Sequence, residues 1–369
     1  MQTPLPVEWI DSTPQLEVFC AHLDLQRVIG IDTEFVRERT YHPVFCLLQI
    51  STADRIACLD PLTLPSLAPL RPILQDPARL KILHSGRQDL EVLLLHFGEL
   101  PQSVVDTQTA AALAGYSEQI GYANLVDTLF NVRLAKEHTR TDWSRRPLSP
   151  EQIAYAAEDV SYLIPAHEVL SDRLATLGRD TWLDQDCRAM LAPDLYENSA
   201  HDAWKRVSGS HDLPAHCFTP LKRVAEWREQ TAQQLNLPRA WILKDDQLCT
   251  VVRSSAVSTG LQRHPCLSRS VHIELMDALQ QVLQAAQLAP AEPCPPSWTA
   301  PLDPTRKALL KRLMALVHET ATDLGISPAT LASRRDLEAL LDQRESARVL
   351  KGWRKDIVGD RLALLLPTG

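Results

Sequence analysis

Asp32 and Glu34 stand two residues apart in the run Val28-Ile29-Gly30-Ile31-Asp32-Thr33-Glu34-Phe35-Val36-Arg37, which reads as a buried β-strand. Side chains alternate along a strand, so Gly30, Asp32 and Glu34 share one face while Ile29, Ile31, Thr33 and Phe35 share the other. Two carboxylates side by side repel and lose hydration unless a cation compensates them. Hard divalent ions such as magnesium and manganese take carboxylate oxygens, which makes this strand half of a candidate metal site. The plainer alternative is an edge strand with both acids solvated. A second group lies in Glu151 to Leu163 (EQIAYAAEDVSYL), where Tyr155 and Asp159 are one helical turn apart on one face and Glu158 points elsewhere. A surface pair is the plain alternative there. Asp89, in His84-Ser85-Gly86-Arg87-Gln88-Asp89, follows a strand directly, at the end of the sheet where ligands of α/β folds collect. Asp106, at the end of the next strand, has the same local claim, and spacing does not choose between them.

These residues need a sheet and a helix to bring them together. After the acid strand come two short apolar runs, Cys46 to Ser51 and Arg55 to Leu59, separated by Thr52, Ala53 and Asp54, so the first three strands predict an antiparallel meander. A helical stretch near Leu67 to Leu74, a strand at Leu80 to Leu83, a helix from Gln88 to Phe97, a strand at Val104 to Val105 and a helix at Thr107 to Leu113 continue an alternating pattern. Ser149 and Pro150 supply an N-cap and a first-turn proline for the helix carrying Tyr155 and Asp159. The first 190 or so residues are thus expected to form an α/β domain, and every long periodic segment beyond it is helical.

A length of 369 residues predicts two or three domains. No apolar run is long enough for a membrane span, and the start lacks a basic segment followed by an apolar one, so a cytoplasmic protein is expected. The eight cysteines include no C-x-x-C pair, which disfavours a zinc site and a disulfide framework; free thiols, several in the core, are expected. The net charge of −8 is unevenly spread: residues 301 to 369 hold 12 Lys+Arg against 9 Asp+Glu, leaving 26 against 37 for the first 300. That asymmetry is compatible with a polyanion-binding C-terminal module beside an acidic, metal-loaded one.

The strand GIDTEF, the turn HSGRQDLEVL and the helix YAAEDVSYL together resemble the three motifs of the DEDDy branch of DnaQ-like 3′ to 5′ exonucleases, and in particular the ribonuclease D family, over essentially the whole chain. The resemblance implies a ribonuclease H-like α/β domain, a mixed sheet flanked by helices, followed by two all-α HRDC domains. It implies four metal-binding acids, Asp32, Glu34, Asp89 and Asp159, with Tyr155 as the residue that orients or helps deprotonate the attacking water. Asp106 falls outside the motifs and reverts to a structural or supporting role. Two divalent ions, Mg2+ or Mn2+, would stabilise charge on the attacking and leaving oxygens of phosphodiester hydrolysis. Arg37, Arg39 and Tyr41 after the acid strand, Gln49 on the next strand, and Trp143 and Arg145 before the third motif are candidates to contact RNA phosphates or stack on bases.

The C-terminal half repeats itself. Leu221-Lys222-Arg223 recurs as Leu310-Lys311-Arg312, Thr231-Ala232 as Thr320-Ala321, Leu235 as Leu324 and Leu248 as Leu337, at one offset (310 − 221 = 89). Both copies resemble HRDC modules, the second departing from the first with Arg334 and Arg335 in place of Asp245 and Asp246. The domain expectation is an exonuclease over 1–193, a first HRDC domain over 210–289, a semi-rigid proline-rich linker over 290–304 and a second HRDC-like domain over 305–369. The expected activity is trimming of RNA 3′ ends by a monomer, with release of 5′-mononucleotides and precursor tRNA as the substrate. A DNA exonuclease on the same catalytic domain, or a non-catalytic RNA-binding scaffold, are the rival readings.

Overall fold

The computed structural model describes residues 5–135, 141–254, 262–294, 304–342 and 347–366. They fall into two compact units: one of residues 1–36, 44–196 and 305–369, the other of residues 37–43 and 197–304.

The first unit is built on a six-stranded mixed sheet. Its strands are β1 (Val7–Ile10), β2 (Val28–Val36), β3 (Val44–Ser51), β4 (Ile56–Leu59), β5 (Leu80–Leu83) and β6 (Val104–Asp106), in the order β1-β4-β3-β2-β5-β6. β2, β3 and β4 are the expected meander, while β5 and β6 join β2 in parallel. β1 pairs in parallel with β4 at the far edge and was not anticipated; four residues of only partly apolar character carry little periodicity. The helices of this unit's first part are α1 (Thr13–Leu23), α2 (Arg71–Gln75), α3 (Arg87–Phe97), α4 (Thr107–Leu113), α5 (Tyr122–Phe130), α6 (Pro150–Ser161), α7 (Leu163–Leu177) and α8 (Asp180–Met190). Ile29, Ile31, Leu48 and Ile50 face a core formed with α1 and α3; Cys46, Leu47, Cys58 and Ile82 face a second core formed with Ala156, Ala157, Val160 and Leu163. The acid strand therefore lies inside the sheet, covered on both faces, and the solvated-edge alternative does not apply.

The second unit packs α9 (Phe218–Gln234), α10 (Arg239–Ile242), α11 (Asp245–Ser254) and α12 (Arg269–Leu288). Ala203 and Val207 share its core with Leu221 and Val224. Of the expected linker, residues 295–303 lie outside the described residues; Glu292 is tied to α9 by its amide, which donates to Thr219 Oγ1 at 2.8 Å, and by a salt bridge to Lys222.

The last segment holds α13 (Pro304–Leu324), α14 (Pro328–Leu331) and α15 (Arg334–Leu341). The repeat is visible in the helices: α10 and α14 begin at 239 and 328, α11 and α15 at 245 and 334, and both differences equal 89. This copy belongs to the same unit as the sheet. Trp353 stacks on Trp182 of α8 with ring centroids 4.2 Å apart and planes 4° apart. Arg354 donates to both carboxylate oxygens of Asp186, at 2.5 and 2.8 Å, and Arg179 donates to the carbonyls of Leu113 and Leu324. Five of the eight cysteines are buried, in keeping with the expected core thiols. No helix among the described residues is long and apolar enough to cross a membrane.

Candidate active site

β2 delivers Asp32 and Glu34 to the face that α6 covers. α6 starts on a capping box, Ser149 with Gln152, and Pro150 in its first turn. It is docked by Ser51 Oγ, which donates to the Val160 carbonyl at 2.9 Å. Glycine at position 30 is part of this docking, since a Cβ there would collide with Ser51 Oγ and crowd Leu163. The close approach brings Asp159 to the acid strand: carboxylate oxygens of Asp32, Glu34 and Asp159 lie within 4.8 Å of one another.

Asp89 is outside that trio. It sits in the first turn of α3 and is buried, with Oδ1 accepting from the Thr33 amide at 3.1 Å and the Thr33 hydroxyl at 2.5 Å. It is still close enough to act on the other acids. The Asp32 carboxyl is held well above the usual range by burial, then by Asp89, Asp159 and Glu34. Burial, then Asp159 and Asp89, push Glu34 up to about 8. Asp159 is raised to about 7 by burial and Glu158, against a hydrogen bond from Tyr155 that lowers it. Asp89 is raised to about 6 by burial, opposed by the Thr33 bonds. Among the described residues none of the four is in an ion pair. Four clustered carboxyls with no cationic side chain to neutralise them, and no His or Cys in the trio, form a donor set that fits a hard divalent ion.

Asp106 does something else. Its two oxygens accept from the amides of Thr109 and Gly86, at 2.7 and 2.8 Å, so it ties the start of α4 to the turn before α3. Glu158 accepts from the Ala135 amide, away from the trio, as its position on the helix predicts.

The six residues expected to contact RNA divide by exposure. Arg37, Arg39 and Arg145 are exposed, Arg145 paired with Asp142 at 3.1 Å. The other three are corrections. Trp143 is 3% exposed and packs in the core under α6, its ring 6.2 Å from that of Tyr155. Tyr41 is buried in the second unit, where its hydroxyl donates to the fully buried Glu229. Gln49 is fully buried beside Asp32. None of these three side chains can stack on a base or reach a phosphate from where it lies. Residue type alone does not separate a buried amide or ring from an exposed one.

Sequence reasoning missed Thr33, whose place opposite Asp32 was nevertheless legible from strand alternation. It also missed Arg146, which pairs with buried Asp60 through two bonds of 2.6 and 2.7 Å and donates to the Cys46 carbonyl, fixing the segment that leads into α6.

A 3′-5′ exonuclease family model matches residues 7–175, and a second, described as the ribonuclease D C-terminal HRDC domain, matches residues 304–362. Ribonuclease D of Granulibacter bethesdensis is 37% identical over 96% of this chain and 91% of its own. Ribonuclease D of Gluconacetobacter diazotrophicus is 35% identical over 98% and 92%. Among solved structures, Escherichia coli RNase D, described as an exoribonuclease involved in structured RNA processing, superposes with a TM-score of 0.88 at 31% identity, over 98% of this chain and 99% of that one.

Proposed function

Because the chain belongs to the ribonuclease D family and is a 3′ to 5′ exoribonuclease, we propose that Asp32, Glu34, Asp89 and Asp159 hold two divalent ions, magnesium or manganese, and that Tyr155 orients the attacking water. The observation that carries this reading is the uncompensated convergence of Asp32, Glu34 and Asp159, with Asp89 held beside them by Thr33. When bound, the ions supply charge stabilisation to the attacking and leaving oxygens of the phosphodiester. In the pattern of the family, Asp32 would serve both ions, Glu34 and Asp159 would complete one site, and Asp89 would support the other. The Tyr155 hydroxyl, which donates to Asp159, would accept a hydrogen bond from a water beside that carboxylate and so orient the water's lone pair toward the scissile phosphorus. The product is a 5′-mononucleotide and an RNA one residue shorter.

The same reading takes precursor tRNA 3′ ends as the substrate and a monomer in the cytoplasm as the acting form. It takes the helical unit around α9 to α12 as a first HRDC module over about 210–289, supported by the 89-residue offset to the C-terminal copy. Matched 3′-labelled RNA and DNA, each with free and phosphate-blocked ends, assayed with and without chelator, test it. Release of mononucleotides from free RNA ends alone, abolished by chelator, is expected. Equal digestion of DNA would move the assignment to a general exonuclease, and activity in chelator would remove the metal.

A further inference from the structure

Gln49 is fully buried, and among the described residues neither its Oε1 nor its Nε2 has a hydrogen-bond partner. Buried amides are almost always paired, and an unpaired one is strongly disfavoured. Its place in the sheet says what could pair with it. On β3, Leu47 packs against α6 and Ser51 bonds to the Val160 carbonyl of α6, so Gln49, between them, faces α6 by strand alternation. Its cross-strand neighbours on that face are Asp32 on β2 and Cys58 on β4. Directly opposed residues of antiparallel strands bring their Cβ atoms within about 5 Å, well inside the reach of a glutamine.

The two neighbours offer opposite chemistry. Asp32 is an acceptor, whereas the Cys58 thiol, pushed up to about 12 by burial, keeps its proton and is a donor. An amide has one end for each. We propose that Gln49 is a positioning residue for Asp32: when that acid turns to take a cation, Gln49 Nε2 donates to its carboxylate and Oε1 accepts the Cys58 thiol proton. The amide thereby fixes which oxygen of Asp32 faces the site. Hydrogen-bonding partners behind a ligating carboxylate commonly control metal affinity in this way.

The inference rests on the reading of Asp32 as a metal ligand, so the test includes Asp32→Asn beside Gln49→Met in the full-length chain. Mn2+ binding is titrated by calorimetry, and thermal midpoints are measured in chelator. Gln49→Met keeps the side chain's length and loses both hydrogen-bonding ends; Mn2+ affinity should fall roughly 10- to 100-fold, with a metal-free midpoint unchanged or raised. Wild-type affinity, or an affinity loss accompanied by a lowered metal-free midpoint, overturns the proposal, the latter by showing a packing role. Should Gln49→Met fail to fold, the Cys58 pair decides: Cys58→Val should weaken Mn2+ binding and Cys58→Ser should retain it, and wild-type affinity in both overturns the arrangement. Undiminished Mn2+ binding by Asp32→Asn would remove the metal reading itself, whereas loss there with none in Gln49→Met removes only the role of Gln49.

Discussion

Thr33 grips Asp89 with its amide and its hydroxyl from the face of β2 opposite to the one that presents Asp32 and Glu34. One strand thus supplies two acids directly and positions a third through the residue between them. The arrangement explains why Asp89, at about 6, is less perturbed than Glu34, at about 8: desolvation raises both, but only Asp89 has two donors on one oxygen.

Thr33→Val retains the branched side chain that suits a strand and deletes the hydroxyl. Hydrogen bonds to a charged group contribute about 1.5–3 kcal/mol, so the variant should lose stability in that range above pH 7. The acid limb of the kcat profile should move to higher pH, because Asp89 would be harder to ionise. An unmoved limb would show that Thr33 is only a packing residue.

Asp32→Asn, Asp89→Asn and Asp159→Asn should each lower turnover to near background while the protein stays folded. Each removes one charge from a mutually repelling set, so the metal-free thermal midpoint should be unchanged or higher. Wild type should instead gain stability on addition of magnesium or manganese, and the variants should gain less. Full activity in any one of them excludes that residue as a ligand.

Metal-free stability should depend on pH in an unusual direction. Unfolded Asp and Glu ionise near pH ~4, whereas Glu34, Asp159 and Asp89 in the folded chain ionise near 8, 7 and 6. Between those limits the folded chain holds protons that the unfolded chain has lost, so this contribution is complete below pH ~4 and disappears as pH rises through about 6 to 8. Urea midpoints in chelator should fall between about pH 5 and about pH 8.5, and saturating Mn2+ should flatten the fall. A midpoint rising over that interval contradicts the repulsive cluster.

Tyr155→Phe removes one hydroxyl and keeps the ring against Trp143. If the hydroxyl orients the nucleophile, kcat should fall roughly 10²-fold, with little change in RNA affinity. The bond to Asp159 adds a second signature: without it Asp159 is raised further, so the acid limb should also shift upward. Single-turnover rates at saturating metal check both, and a near-wild-type rate assigns the ring to packing alone.

Asp186→Ala should loosen the docking of the last helical segment. Arg354 would be left as a buried charge without its carboxylate, a change that typically costs 3–5 kcal/mol. The Trp182–Trp353 stack shares the same contact, so its near-ultraviolet signal should weaken in parallel with the urea midpoint. Unchanged values in both would mean that the segment is held elsewhere.

The elements that carry the acid cluster were legible because each has its own local signal. β2 is an apolar run interrupted twice by acids, and α6 has a capping serine, a proline and a helical period. The offset of 89 survived into the helices for the same reason: the pattern is written in consecutive residues. What was illegible depends on distant partners. Nothing local tells Trp143 or Gln49 that a helix will cover it, or Tyr41 that Glu229 awaits it 188 residues away. Likewise, Trp353 and Trp182 are ordinary tryptophans until the chain folds back to stack them.

The nuclease unit is interrupted in sequence, and this shapes how it is made. Residues up to 196 emerge from the ribosome first, but α13 and the segment with Trp353 and Arg354 follow only after residue 304, an interval of 108 residues (304 − 196 = 108). Trp353 lies 163 residues past the end of α8 (353 − 190 = 163), so at roughly 5–20 residues per second a nascent chain spends on the order of 10–30 s with α8 lacking the surface that covers it. During that interval Trp182 and Asp186 lack the Trp353 ring and the Arg354 guanidinium that they meet in the folded chain.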